Sequence, residues 1–317
     1  MRSRQVVAVV VAYNRRDLLI EVLAGLHSQS RVPDAIVVVD NASSDDSAAV
    51  VREVAPTATL IELSTNTGGA GGFAVGMAAA IARHDPDWVW VMDDDTIPEP
   101  DALGSLLDAV ERYDSDDLCA VGSRVVWTNG VEHPMNTPRR NPFAGRREKD
   151  LASRIDAVAV RSLSFVSSMY RADAILRRGF PVVDYFLWND DFEFSARLLR
   201  HGVGLSVPAS RVVHKTKALA STDVDPGPRF RLEVRNKVWL FRKSPALSVG
   251  EKILYIGASA LRWARTFRLS QDRRTLRAGL SSGLKEGFGR KPRPNTEVLA
   301  GAGVPDDILA VLGRRHA

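Results

Sequence analysis

Cysteine is almost missing from this 317-residue chain. Cys119 stands alone, which excludes an intrachain disulfide and a cysteine-built zinc site and fits a reducing compartment. Long apolar runs are missing too. No stretch of 18 apolar residues occurs, so no transmembrane helix is expected. The opening Met1-Arg-Ser-Arg-Gln5 runs directly into a strand-like segment and lacks the apolar stretch and cleavage site of a signal peptide. There is no low-complexity tract. Acidic charge is scarce in one region only: residues 240–317 hold 15 Lys and Arg against 6 Asp and Glu, while the whole chain carries +5. That part therefore carries +9 and the first 239 residues −4. A basic tail on an acidic body points to an anionic surface, lipid headgroups or nucleic acid. No zinc finger, recognition motif or interleaved aromatic platform accompanies the tail, so nucleic acid is not expected as a partner.

What is present is an alternation of strand and helix signals. Val6–Ala12, Ala35–Val39, Thr59–Leu63 and Trp88–Met92 are strand-like; Asp17–Ser28, Ser44–Val54 and Gly72–Arg83 have helical spacing. This repetition predicts an α/β fold with a mainly parallel sheet and right-handed crossovers. Ligands of such sheets bind beyond the carboxyl ends of the strands, where Asp40, Asn66 and Asp93–Asp95 fall. Residues 128–150 lack periodicity and are expected to form a long loop. Ser162–Tyr170 has strand character, Ala172–Arg178 is a short helix and Asp191–His201 a longer one. Val203–Val207 and Arg211–Val213 are extended, and Arg229–Lys243 and Glu251–Arg268 are long helices. From Ser270 the chain is a basic, partly helical tail broken at Gly289–Pro294.

Asp93, Asp94 and Asp95 end the apolar run Trp-Val-Trp-Val-Met. Acids crowded at the mouth of a buried strand repel one another, at a cost of several kcal/mol without a cation. Side chains alternate along an extended segment, so Asp93 and Asp95 converge on one ligand and Asp94 faces the other way. Mg²⁺ or Mn²⁺ suits such oxygen donors and keeps positions open for phosphates. A solvated acidic turn before Pro98 and Pro100 is the plainer alternative. Gly69-x-Gly71 opens a helix but is no dinucleotide fingerprint, because the first strand–helix turn, Tyr13–Asp17, has no glycine. A backbone turn approaching a ligand at Asn66 and Gly69, or close helix packing, both remain open.

Taken together, Val10-Val-Ala-Tyr-Asn14, Val38-Val-Asp-Asn-Ala-Ser-Ser44, Asn66-Thr-Gly-Gly-Ala-Gly-Gly-Phe73, Asp93-Asp-Asp95, Trp188-Asn-Asp-Asp-Phe-Glu193 and His214 resemble family 2 glycosyltransferases in kind and order, over roughly residues 5–245. Within that family they look most like actinobacterial galactofuranosyltransferases of the galactan-initiating type; related rhamnosyltransferases share most of the motifs. The resemblance implies the GT-A fold and an inverting, metal-dependent transfer from a nucleotide sugar. It implies UDP-galactofuranose as donor, or dTDP-rhamnose as the alternative, and a polyprenyl-diphosphate-linked saccharide as acceptor.

The resemblance also implies roles. Asp40 would accept the imide N–H of uracil or thymine, unless it merely caps a turn; the turn at Asn66 and Gly69 would approach the sugar nucleotide and Asp94 would face the sugar or ribose; His214 would complete the metal site with Asp93 and Asp95, unless it is structural. Asp191 is the expected general base, with Asp190 as fallback and Glu193 orienting nearby groups; the plain alternative is a charged helix N-terminus. Trp188 can stack on a sugar ring or pack in the core. Arg235 is expected on a diphosphate, or else in a surface ion pair. The implied division is a catalytic domain, 1–245, and a basic helical region, 246–317. Within the latter, Glu251–Arg268 combines apolar and basic residues, as an interfacial helix would; packing on the catalytic domain or a dimer partner is the alternative. The expected location is cytoplasmic, peripheral at the inner face of the plasma membrane. Two other classes stay in view: a nucleic-acid-binding protein and a noncatalytic scaffold of the same fold.

Overall fold

Strand β1, Val6–Ala12, is buried at every position, which an alternating surface strand could not be. Both its faces are covered by helices, the arrangement that parallel sheets require. Val7, Val9 and Val11 face one apolar layer, and Val6, Ala8 and Val10 face the other. Each fully buried valine contributes about 1.5–3 kcal/mol.

The computed structural model describes residues 4–216, 219 and 225–314. After β1 come α1 (Arg16–His27), β2 (Ala35–Asp40), α2 (Ser47–Val54), β3 (Thr59–Glu62), α3 (Gly68–His84), β4 (Trp88–Asp93) and β5 (Thr96–Pro98). Next are α4 (Ala102–Tyr113), β6 (Leu118–Val126), β7 (Arg139–Arg140), α5 (Arg146–Arg154), β8 (Val158–Ser162), β9 (Ser168–Arg171) and α6 (Ala172–Arg178). The chain continues with α7 (Asp190–Leu198), β10 (Val203–His214), α8 (Phe230–Arg242), α9 (Val249–Leu269), α10 (Arg273–Gly289), α11 (Asn295–Val298) and α12 (Asp306–Leu312).

The sheet order is β3-β2-β1-β4-β9-β6-β10-β8-β7, with β5 added on β10. The β3-β2-β1-β4 half is parallel, as is β6 with β10, whereas β9 runs antiparallel between β4 and β6. The expected mixed, mainly parallel α/β sheet flanked by helices is therefore present.

Several local expectations need correction. Residues 128–150 are not all loop: they contain β7 and the start of α5. Ser162–Tyr170 is not one strand; β8 and β9 are separated by a turn in which Ser167 has φ +56°. Helix α3 starts at Gly68, four residues before the apolar periodicity begins, because glycines hide its first turn from a hydrophobicity reading. Residues 102–126, for which no element was expected, form α4 and β6.

The basic tail folds back on the body. Leu276 of α10 packs with Phe230 and Val234 of α8. The fit is close, since a Cβ on Gly283 would lie 2.6 Å from the Arg231 carbonyl oxygen. Ile308, Val311 and Leu312 of α12 join the apolar layer that covers Val7 and Val9. The buried Arg161 guanidinium ties the start of α9 to the sheet by donating to Glu251 Oε1 at 2.7 Å and to the carbonyls of Ala196 and Ala246. Among the described residues, no helix is long and apolar enough to cross a membrane. The ends of the charge pattern, residues 1–3 and 315–317, lie outside the described residues.

Candidate active site

Register places the acids. Ala12 pairs with Asp40 and Val11 with Asp93, so the last residues of β1, β2 and β4 share one sheet edge. After β4 the chain turns through Asp94 and Asp95 into β5, whose Thr96 pairs with His214 at the end of β10. That hairpin-like return sets the His214 imidazole against the tract, Nε2 being 3.1 Å from Asp95 Oδ1.

Asp93, Asp95 and His214 each offer a ligand atom, and the three atoms lie within 4.8 Å of one another. Asp95 is 1% exposed, and its Oδ1 makes no hydrogen bond. A buried carboxylate oxygen without a hydrogen bond is costly unless something else takes its charge. Two carboxylates and one imidazole form a donor set suited to Mn²⁺ or Mg²⁺, so the residues fit a divalent ion. Burial and the neighbouring Asp95 charge push Asp93 up to about 6. Burial also acts on Asp95, but His214 and Arg15 outweigh it and hold that carboxyl below its ordinary value.

Arg15 was not among the expected residues. Its Nη1 donates to Asp94 Oδ1 at 3.3 Å and, at closer range, to Asp95 Oδ2. A resident guanidinium thus offsets part of the crowding of the acids. Asp94 turns the other way and accepts from the Tyr13 backbone N–H at 2.7 Å. Burial drives its carboxyl up to about 7. A sequence signal for Arg15 existed only as its position in the turn after β1.

Asp40 is buried at the end of β2 and accepts from the Ser43 N–H at 3.3 and 3.4 Å; burial raises its carboxyl. Next to it, Asn41 bridges to the glycine-rich turn, donating to the Gly68 carbonyl and accepting from the Thr67 N–H. Asn66 is exposed and holds that turn by accepting from the Gly68 N–H at 2.7 Å. The glycines divide by task. Gly72 and Gly76 let α3 sit directly on β1, where a Cβ would lie 2.5 Å from Val11 and 2.3 Å from Val9. Gly68 has φ +70°, and a Cβ there would come 2.0 Å from the Phe186 carbonyl oxygen. Gly69 has room, with Asp190 Oδ2 3.7 Å from the place of its Cβ.

Opposite the acids lies the segment 184–189, in which Phe186, Trp188 and Asn189 all have positive φ. Asn236 of α8 straps it by donating to the carbonyls of Tyr185, Leu187 and Trp188 at 2.8–3.0 Å. Arg235 serves the same strap. It is buried, donates to the carbonyls of Asp184 and Tyr185 at 2.8 and 3.0 Å, and stacks 4.4 Å from the Trp239 ring centre. Its guanidinium is thus engaged by backbone through Nη2, and Nη1 stands 3.7 Å from Glu286 Oε2.

The strap delivers α7. Asp190 and Asp191 begin that helix, and burial raises both carboxyls. Asp93 and Asp191 lie close enough that each charge reaches the other's surroundings: Asp191 adds to the upward push on Asp93, and Asp93 to that on Asp190. Asp191 Oδ1 accepts from the Phe192 N–H at 2.6 Å. Arg139 and Lys237 draw its carboxyl back down. Asp191 and Trp188 line a cavity of about 750 Å³ between residues 135–139 and helices α7, α8 and α9. Glu193 does not line it; it is bound by Arg197 at 2.9 Å and Ser244 Oγ at 2.7 Å. The structure therefore brings Asp93, Asp95 and His214 together, with Asp190 and Asp191 nearby, while Glu193 and Arg235 brace the helices behind. Asn136, Arg139 and Lys237 were missed, for their roles arise only when distant segments meet.

A sequence profile described as "Glycosyl transferase family 2" matches residues 7–177. The chain is similar to galactofuranosyltransferase GlfT1 of Mycobacterium tuberculosis, 33% identical over 208 residues, which covers 63% of this chain and 66% of that protein. It is also similar to GlfT1 of Mycolicibacterium smegmatis, 31% identical over 202 residues, 62% of this chain and 66% of that one. These matches thus span just under two thirds of the relatives' length. Among solved structures, S. aureus TarS 1-349 superposes with TM-score 0.61 at 16% identity, covering 97% of this chain and 90% of that one. TarS 1-349 in complex with UDP gives TM-score 0.61 at 17% identity with the same coverage.

Proposed function

Since the chain belongs to glycosyl transferase family 2, we propose that it is an inverting, metal-dependent glycosyltransferase that moves galactofuranose from UDP-galactofuranose to a lipid-linked saccharide. The observation that carries this is the convergence of Asp93, Asp95 and His214 within 4.8 Å, beside a cavity that contains Asp191. The donor sugar is supported by similarity to the two GlfT1 proteins.

Asp93, Asp95 and His214 would hold Mn²⁺ or Mg²⁺, which when bound supplies charge neutralisation to a departing nucleoside diphosphate. The chain's own residues do the rest. Asp40 takes the imide N–H of the base, and the turn at Asn66 and Gly69 lies along the donor. Asp94, anchored on Tyr13 and Arg15, borders the sugar. The acceptor enters the cavity against Trp188. Asp191 uses Oδ1 to accept from the Phe192 N–H, which leaves Oδ2 to receive the proton of the attacking hydroxyl. Attack opposite the leaving group inverts the anomeric carbon. Arg139 and Lys237 favour the ionised carboxylate in its buried setting. Asp190 stands behind the base near Gly69. Glu193 and Arg235 position the helices and the strap without touching substrate.

The apolar and basic face of α9 fits attachment at an anionic membrane surface, where a lipid-linked acceptor would be met. Val249, Ile253, Leu254 and Leu261 are 77%, 67%, 65% and 76% exposed. The test of the whole reading is a donor panel with divalent metal and a diphosphate-linked saccharide acceptor, read by mass spectrometry. A galactofuranosyl product is expected from UDP-galactofuranose and none from dTDP-rhamnose; the reverse pattern would overturn the donor, and no transfer from any nucleotide sugar would overturn the enzyme.

A further inference from the structure

A second cavity, of about 470 Å³, lies between the strap, α8 and α10. Four arginines line it: Arg231, Arg235, Arg290 and Arg293. Two carboxylates, Asp184 and Glu286, face them. None of Asp40, Asp93, Asp94, Asp95 or Asp191 takes part in the lining.

Both carboxylates are fully engaged. Asp184 accepts from Arg290 Nη1 at 2.5 Å, from the Arg293 backbone N–H at 3.0 Å and from Arg293 Nη2 at 2.9 Å. Glu286 receives Arg231 Nη1 on its two oxygens, at 2.6 and 2.7 Å. Four guanidinium groups against two carboxylates leave the cavity wall with a surplus of positive charge. Among the described residues, Arg231 Nε and Nη2 have no hydrogen-bond partner. Behind them Arg235 is 5% exposed. Burial, with Arg231 and Arg290 close by, outweighs Asp184 and Glu286 and brings its guanidinium down to about 10. An under-compensated cation in such a setting is unfavourable, and an anion held in the cavity relieves it. The arginine fork matches phosphate oxygens, and the volume suits a small ligand.

We infer that Arg231, Arg290 and Arg293 form a second anion site, for a small ligand that carries phosphate groups. It lies apart from the metal tract and from the cavity of Asp191. It shares one wall, Asn66 and Thr67, with the turn that precedes α3. That a bound anion would brace this turn against the donor rests on the proposed function; the binding itself does not.

Pyrophosphate and sulfate are titrated calorimetrically into the full chain in EDTA, so that no metal bridges the anion to Asp93 and Asp95. Native protein should bind pyrophosphate at least about tenfold more tightly than sulfate, and less tightly as salt rises. Arg231→Gln should weaken pyrophosphate about tenfold. Glu286→Gln removes a competing carboxylate and should tighten it about threefold. The Arg293 side chain is 49% exposed, so Arg293→Gln, with the same loss expected as Arg231→Gln, tests the site even if the latter fails to fold. Were these ion pairs only struts between α8, α10 and the strap, the variants would lose stability and leave pyrophosphate affinity unchanged, which would overturn the site. Sulfate bound as tightly as pyrophosphate would overturn its assignment to phosphate groups. UDP affinity with Mn²⁺ but without pyrophosphate is measured on the same proteins and should be equal in native protein and Arg231→Gln. Its loss in the variant would give the cavity to the donor and overturn a second site. No UDP binding by native protein would sink the proposed function and leave the anion site standing.

Discussion

His214 and Asn136 meet through Nδ1, which lies 3.0 Å from Asn136 Oδ1. An amide oxygen can only accept, so Nδ1 carries the proton, and Nε2 is the nitrogen that faces Asp95 and the metal site. Partners of this kind orient a metal ligand and set its tautomer. Asn136→Ala should therefore weaken Mn²⁺ binding about 10–100-fold, and His214→Ala should weaken it further. Calorimetric Mn²⁺ titration reads both; an affinity unchanged by His214→Ala would remove that residue from the site.

Gly68 takes its place because of Phe186. The left-handed backbone at φ +70° and the 2.0 Å approach of a Cβ to the Phe186 carbonyl oxygen exclude a side chain there. Gly68→Ala should cost about 3 kcal/mol in urea unfolding. Gly69→Ala, with its nearest contact at 3.7 Å, should cost well under half as much. Equal costs would show that the close approach is not what fixes the turn.

Asp184 links the strap to the C-terminal segment through Arg290 and Arg293, at 2.5 and 2.9 Å. Burial alone would raise its carboxyl, but the hydrogen bonds from Arg293 and Arg290 outweigh burial and bring it down to about 2. A carboxyl lowered on folding contributes stability that is complete above its unfolded value of about 4 and fades as pH falls toward 2. The contribution is about 2 kcal/mol. Asp184→Asn should thus be less stable than native protein at pH 6, with the difference shrinking between pH 4 and pH 2. A difference independent of pH would contradict this account.

The parts of the site that end strands were legible in the sequence. Asp40 and Asp93–Asp95 follow apolar β-rich runs, and in a parallel sheet such ends share one edge. The glycine-rich turn was legible as a turn, but its division into packing glycines and an open Gly69 depends on what lies opposite, namely Val9, Val11 and Phe186. The bracing task of Arg235 was hidden for a related reason. An arginine on a helix near an acid-rich segment suits a phosphate, and nothing in the sequence says that three strained residues nearby leave carbonyls for it to satisfy. Asn136 and Lys237 were invisible because each meets its partner only after segments about 80 and 45 residues apart are brought together. Packing of the tail on the body stayed open in the sequence because its glycines, such as Gly283, carry no apolar signal although they allow close approach.

The exposed face of α9 yields a prediction about surfaces. Ile253→Glu and Leu261→Glu each place a carboxylate on the apolar face, at positions 67% and 76% exposed. Folding should be little affected, since surface substitutions of this kind stay within about 0.5 kcal/mol. Co-sedimentation with anionic vesicles should be lost, and native binding should weaken as salt rises. Undiminished sedimentation of the double variant would show that α9 does not meet the membrane.

The most direct test concerns Asp191. Native protein and Asp191→Asn are compared with Mn²⁺, UDP-galactofuranose and a lipid-linked saccharide, with UDP affinity measured alongside. The account predicts a product of inverted anomeric configuration and a fall in kcat of about 10²–10⁴-fold in the variant, with UDP affinity unchanged. Retained configuration, or turnover in Asp191→Asn equal to native, would contradict it.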